Sequence, residues 1–335
     1  MTAANAVQRS FPHDFPFDPA YGRTLDGLLR VPVPNAPTDF DAFWRSRYGE
    51  ALRVAPEPEA GQLVEERDGV RIHEVLYTSV GDVRLGGWLV LPAPGPVEHG
   101  FVIGHGYGGR SGVGPDVPLP LPRSAAILPC VRGMGERGLV PGIPTLPDQH
   151  VLHGIASRET YVIGDCVADL WCAATALLEL VPELRESGAG LGYLGESFGG
   201  GLGALALPWD ERFAAGQLTV PTFGNHPLRL TLDCVGSGAS VRRHHAEHPA
   251  IVEVLRYFDA ASAATRVRAP VLVAPALFDP SVPPPGQFAV FNGLSQSAGR
   301  ELHVLDAGHF EWPGKAESTD RLAAAKGEFF GRVLA

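Results

Sequence analysis

The 335-residue sequence contains no stretch approaching the ~18 apolar residues that a helix needs to cross a bilayer, so no membrane span is expected. Segment 1–20 (MTAANAVQRSFPHDFPFDPA) lacks a basic start followed by an apolar run, so no secretory leader is expected either and the protein is placed in the cytoplasm. Runs of Lys and Arg are missing too. With 27 basic against 37 acidic residues the formal net charge is −10, and nothing attracts a phosphate backbone or an anionic lipid surface; no nucleic-acid and no membrane partner is expected. Cysteine is scarce. Cys130, Cys166, Cys172 and Cys234 lie mostly in apolar runs without C-x-x-C spacing, which favours free buried thiols over disulfides or a zinc site. No H-E-x-x-H order occurs. His244, His245 and His248 with Glu247, and His150 with His153, read as solvated helix faces, so no metal and no other cofactor is expected. Internal repeats and low-complexity segments are absent.

What is present suits an enzyme-sized core: 45% hydrophobic and 19% charged residues describe a globular chain, and the length fits one domain over 1–335 carrying insertions. An N-terminal extension and helix are expected in 1–70, with Thr38 or Asp39 as cap and Phe40, Phe43, Trp44, Tyr48 and Leu52 on one apolar face. Residues 71–78 and 83–91 read as strands around the turn Ser79 to Asp82, an antiparallel entry to a sheet. Then short apolar runs at 101–105, 125–131, 191–195, 270–277 and 301–305 alternate with helical patterns. One of these helices has Asp165 as cap, an apolar stripe from Val167 to Val181, and a stop at Pro182. The rhythm predicts an α/β chain of α/β-hydrolase type, with a mainly parallel central sheet and helices on both faces. Gly108–Pro122 and Pro221–Arg256 break it and are expected as insertions over the active-site face (108–122 and 221–256).

Gly195-Glu196-Ser197-Phe198-Gly199 follows an apolar strand and opens FGGGLGALAL, the context of a G-x-S-x-G nucleophile elbow. The bland alternative is a Gly-rich strand–helix turn without chemistry. Two later residues weigh against it: Asp279, just past the strand PVLVAPAL, and His309, in a loop after ELHVL. Ser197 as nucleophile, Asp279 as acid and His309 as base follow the chain order this fold uses. Asp306 is a rival acid, but three residues from His309 it is expected to face solvent or cap the loop. The oxyanion donors are expected to be the backbone N–H groups of Phe198 and of Tyr107, in the loop HGYGG. That loop also reads Gly104-x-Gly106-x-x-Gly109, a dinucleotide fingerprint in form. RSGVGPDVPLPLP cannot make the helix the fingerprint needs, so this reading is set aside.

Several motifs in order resemble one family, the acetyl xylan esterase and cephalosporin-C deacetylase group, carbohydrate esterase family seven. They are PTDFDAFW, HGYGG, Arg132-Gly133, ETYVIGDCVADLWCAATAL, GESFGGGLGALA, LRYFDAASAATRVRAPVLV, LFDPSVPPPGQFAVFNGL and AGHFE. The resemblance implies deacetylation of small acetylated sugars or antibiotics, a small-molecule ester as substrate, and a homo-oligomer, by resemblance a hexamer. It departs at three positions, where Met134, Phe198 and Phe310 stand in place of the family's polar Gln, Gln and Glu; Glu311, one position later, is the candidate to replace that glutamate. The competing readings are a dienelactone hydrolase-like or longer-acyl esterase, a prolyl-oligopeptidase-like peptidase, and a non-catalytic binding protein on the same fold.

Overall fold

The computed structural model describes residues 11–93, 95–188 and 190–334, so the first half of the 1–20 segment lies outside it. Nine strands form one sheet: β1 (Glu59–Arg67), β2 (Val70–Ser79), β3 (Val83–Pro92), β4 (His99–Gly104), β5 (Ser124–Pro129), β6 (Leu191–Glu196), β7 (Phe213–Thr219), β8 (Val271–Ala274) and β9 (Arg300–Leu302). Their order is β1-β2-β3-β5-β4-β6-β7-β8-β9. The first pairings, up to β3 with β5, are antiparallel; from β5 to β9 every pairing is parallel. The strand read over 270–277 ends at Ala274, and beyond it a single bridge joins Ala276 to Leu305.

Alternation along the strands splits the core into two faces. Val102 and Tyr193 point to the side that buries Trp44, Trp171 and Leu202. Phe101, Ile103 and Leu194 point to the side that buries Phe329 and Phe330. The first side carries α1 (Phe40–Leu52), α2 (Val162–Leu180) and α3 (Phe198–Ala206). Further along the chain come α4 (Ser237–Glu247), α5 (Pro284–Gly293) and α6 (Lys315–Val333), the last on the second side.

Local signals misplace three details. Asp39 stands at the start of α1 but makes no capping bond; its carboxylate takes Arg158 at 2.7 Å and the Tyr257 hydroxyl at 2.5 Å. Leu52, expected on the buried face, is exposed. Asp165 does not cap α2, which begins three residues earlier at Val162. In the first turn it pairs with Arg47 and Arg132, each at 3.0 Å, because buried guanidinium groups hold it more strongly than the helix end does.

β4 lies between β5 and β6, so the chain leaves β4 toward one side of the sheet and returns on the other. At such a reversal the loops after neighbouring strands part and leave a crevice at their C-terminal ends. The loops after β4, β6, β8 and β9 carry Tyr107, Ser197, Asp279 and His309.

Candidate active site

Ser197 is the single residue between β6 and α3, with φ 55° and ψ −110°. Such backbone is costly for a residue with a side chain and persists only where the surroundings enforce it. Here neighbouring backbone does so: the Ser197 N–H donates to the Thr219 carbonyl, and its own carbonyl accepts from the N–H groups of Gly201 and Thr222. The flanking glycines are required by contact. A Cβ on Gly195 would sit 2.4 Å from the Gly199 carbonyl oxygen, and one on Gly199 would sit 2.7 Å from the Gly104 carbonyl carbon.

The Ser197 hydroxyl donates to His309 Nε2 at 2.9 Å, and His309 Nδ1 donates to Asp279 Oδ2 at 2.8 Å. Of the two carboxylates weighed for the acid, Asp279 is the one bonded to the ring. Asp279 is fully buried and completely satisfied: Oδ1 accepts from the N–H groups of Ser281 and Val282, both at 2.9 Å, and Oδ2 also accepts from Gln287 Nε2 at 2.9 Å. Gln287, on α5, was not singled out in the sequence. It also bonds Ala276 N–H and the Val282 carbonyl, so it ties the strand end to the acid loop; a glutamine inside the apolar stretch PPPGQFAVF was the available signal. The His309 side chain keeps 24% exposure. Burial pushes its imidazolium down, but the charge and hydrogen bond of Asp279, with Glu196 adding to them, outweigh this and hold its pKa above the ordinary histidine value.

The loop after β4 is fixed by two neutral histidines. His105 Nδ1 donates to the Gly106 carbonyl at 2.7 Å, and its Nε2 accepts the Val131 N–H at 3.2 Å. His150 Nε2 donates to the Arg132 carbonyl at 3.0 Å, and its Nδ1 accepts from the Tyr107 hydroxyl at 3.2 Å. Burial pushes both to a pKa of about 4. His150 is therefore a buried structural residue, which corrects its reading as part of a solvated face; both of its ring nitrogens are satisfied. Arg132, in the loop after β5, is itself held by a bidentate bond to Asp169. Among the described residues, neither the Phe198 N–H nor the Tyr107 N–H donates to a protein acceptor.

The three apolar departures are all packed. The Phe198 ring stacks on Tyr107 with centroids 4.0 Å apart and planes at 17°, and Met134 is fully buried. Phe310 joins Phe11, Phe278 and Trp312 in an aromatic cluster, with Phe278 at 4.9 Å and Phe11 at 5.8 Å. The N-terminal segment thus lies on the loops of Asp279 and His309, and the Asp279 N–H donates to the Pro19 carbonyl. Glu311 does not reach back to the site; it pairs with Lys315 on the surface. His244, His245 and His248 lie on or at the end of α4, and no group of three or more metal-ligating side chains occurs among the described residues.

The family model for acetyl xylan esterase (AXE1) matches residues 30–322, most of the chain. The chain belongs to the acetyl xylan esterase family. It is a carboxylic ester hydrolase, a serine esterase acting on acetyl esters. Among solved structures, an acetyl xylan esterase from Paenibacillus sp. R4 is 25% identical with a TM-score of 0.72, covering 90% of this chain and 99% of that one. Acetyl xylan esterase 1 from Thermoanaerobacterium sp. JW/SL YS485 superposes with a TM-score of 0.77 at 20% identity, over 92% of this esterase and 99% of that chain. An acylaminoacyl peptidase from Pyrococcus horikoshii shares the fold at 17% identity and a TM-score of 0.61, over 80% of this chain and 42% of the peptidase. No helix of the described residues is long and apolar enough to cross a membrane.

Proposed function

We propose that this esterase removes acetyl groups from small acetylated carbohydrates, with Ser197 as nucleophile, His309 as general base and acid, and Asp279 as the group that orients His309. The hydrogen-bonded chain Ser197–His309–Asp279 at the sheet's C-terminal edge is the observation that carries the reading. Ser197 Oγ attacks the acetyl carbonyl carbon while its proton passes to His309 Nε2. Asp279 stabilises the imidazolium that forms, and the N–H groups of Phe198 and Tyr107 receive the oxyanion, a contribution on the order of 3 kcal/mol per donor. The intermediate expels the alcohol oxygen, which takes the proton from His309 and leaves acetyl on Ser197. Water then attacks the acetyl group, His309 takes its proton and returns it to Ser197, and acetate departs.

A small acyl group is supported by Phe198 and Met134: both are buried, so these apolar residues occupy space and do not line a channel for a long chain. The longer-acyl reading and the cephalosporin-type substrate have no such observation behind them. The account takes 1–335 as one domain, with 108–122 and 221–256 shaping access to the site; Phe223 of the second segment packs on Phe198 at 6.0 Å, and residues of the first line the cleft beside His309. A cytoplasmic setting is supported by four free, buried cysteines, and a homo-oligomer by Leu63 and Val64, exposed on edge strand β1. The test is turnover of p-nitrophenyl acetate, butyrate and octanoate by wild type and Ser197→Ala. The expected result is preference for acetate, with serine-dependent turnover lost by roughly 10⁴-fold or more; preference for octanoate sinks the substrate, and activity surviving in Ser197→Ala sinks the mechanism.

A further inference from the structure

Arg229 is a cation without a counter-ion. Its Nε is sealed from solvent and has no hydrogen-bond partner, and its guanidinium makes no hydrogen bond or ion pair among the described residues. Burial pushes its pKa below the ordinary arginine value, so the cost of the bare charge outweighs what its neighbours return. The acids nearby are committed elsewhere. Asp233 pairs with Arg242, and the two Asp259 oxygens accept backbone N–H groups, from His226 at 2.6 Å and from Ser262 at 2.9 Å. The Cys234 thiol and the hydroxyls of Tyr21 and Tyr161 are pushed up by burial and stay protonated.

The guanidinium borders a pocket of about 10 Å³, room for one water-sized sphere, walled by apolar Phe223, Leu230 and Val241 and by Ser237 and Gly238 in the first turn of α4. A Cβ on Gly238 would sit 3.2 Å from Arg229 Nη2, so the charge lies against the start of that helix. There the N–H groups of Ser237 and Gly238 make no hydrogen bond among the described residues, and the helix dipole adds its positive end. Two positive ends therefore face one small space. His226, also on the wall, adds no charge of its own, because burial pushes its pKa to about 3.

We infer that this pocket binds one small monovalent anion, a chloride or bromide, between Arg229 and the N-terminus of α4. A water molecule there would accept from the donors and leave the charge uncompensated, whereas a halide supplies both an acceptor and a charge where attraction is weakly screened. The space is too small for sulfate, phosphate or a sugar, and its apolar walls favour weakly hydrated halides over fluoride. The ion fastens the second insertion beside the acid loop: the same Cβ on Gly238 would lie 3.6 Å from the carbonyl oxygen of Ser281, two residues after Asp279. Phe223 carries the contact on to Phe198, with ring centroids 6.0 Å apart.

The experiment follows the thermal midpoint of the full chain during titration with sodium chloride, ionic strength being held constant with sodium gluconate, whose anion is too large for the pocket. The wild type is expected to show a saturable rise of about 2 °C when chloride reaches ten times its Kd, with bromide acting alike. Arg229→Met keeps the length of the side chain and removes its charge, so its midpoint should not respond to either halide. A wild type without a saturable rise, or a rise that persists in Arg229→Met, overturns the site. Should Arg229→Met fail to fold, bromide-soaked crystals of the wild type decide. An anomalous peak within hydrogen-bond distance of Arg229 and of the Ser237 or Gly238 N–H upholds the site, and no peak there overturns it.

Discussion

In the proposed mechanism His309 is the residue whose protonation sets the rate, because only the neutral ring can accept the Ser197 proton. The protonated form is inactive, so kcat/KM rises with pH through the His309 pKa, and the acid limb is expected above the ordinary histidine value of 6.5. Asp279→Asn removes the charge that raises this pKa and leaves the burial that lowers it. The limb should therefore move to lower pH, and kcat should fall by about 10³–10⁴-fold because the ring loses its tautomer and orientation. A pH–rate profile of the two proteins checks this; a limb that stays in place would assign the raised pKa to something other than Asp279. The same scale explains how the apolar departures are tolerated. In the proposed mechanism Phe198 contributes only its backbone N–H, whatever its side chain; that side chain is buried against Tyr107, while Phe310 is held by a ring from the N-terminal segment.

Among the elements, the strand–turn–helix of β6, Ser197 and α3 is the most constrained. The α3 backbone passes against β4 so closely that Gly199 meets Gly104 and donates its N–H to the His105 carbonyl at 2.8 Å. Gly199→Ala must displace that backbone, so it should cost about 1–3 kcal/mol and lower the thermal midpoint, and it should reduce activity further by shifting Ser197. A variant with unaltered midpoint and rate would mean that the contact can relax freely. This element was legible in the sequence because the glycine spacing and the apolar strand before it are both local. β1 was not: eight of its nine residues are exposed, so the edge strand carries no alternating pattern to read. β7 (FAAGQLT) escaped because alanine and a buried glutamine replace the β-branched run that marks an inner strand.

Over the whole molecule, the site exists because four loops from strands far apart in sequence end at one edge of the sheet. The placement of Ser197, Asp279 and His309 after strands was legible in the sequence, since the fold imposes that order on the chain. Their support could not. Gln287 reaches Asp279 from a separate helix, Pro19 and Phe11 arrive from the other end of the chain, and His150 is brought to Tyr107 from beyond β5. Such contacts depend on tertiary packing and leave only weak traces in composition. The cavity beside His309 is of the same kind, lined by Glu196 and Lys326, 130 positions apart.

The central claim is that acetyl passes through Ser197, and the most direct measurement is to quench the enzyme with acid during turnover of p-nitrophenyl acetate and map the acetyl group by peptide mass spectrometry. The account predicts acetyl on the peptide carrying Ser197, and its loss from that peptide in Ser197→Ala. Acetyl trapped on another residue, with Ser197 unmodified, would contradict it.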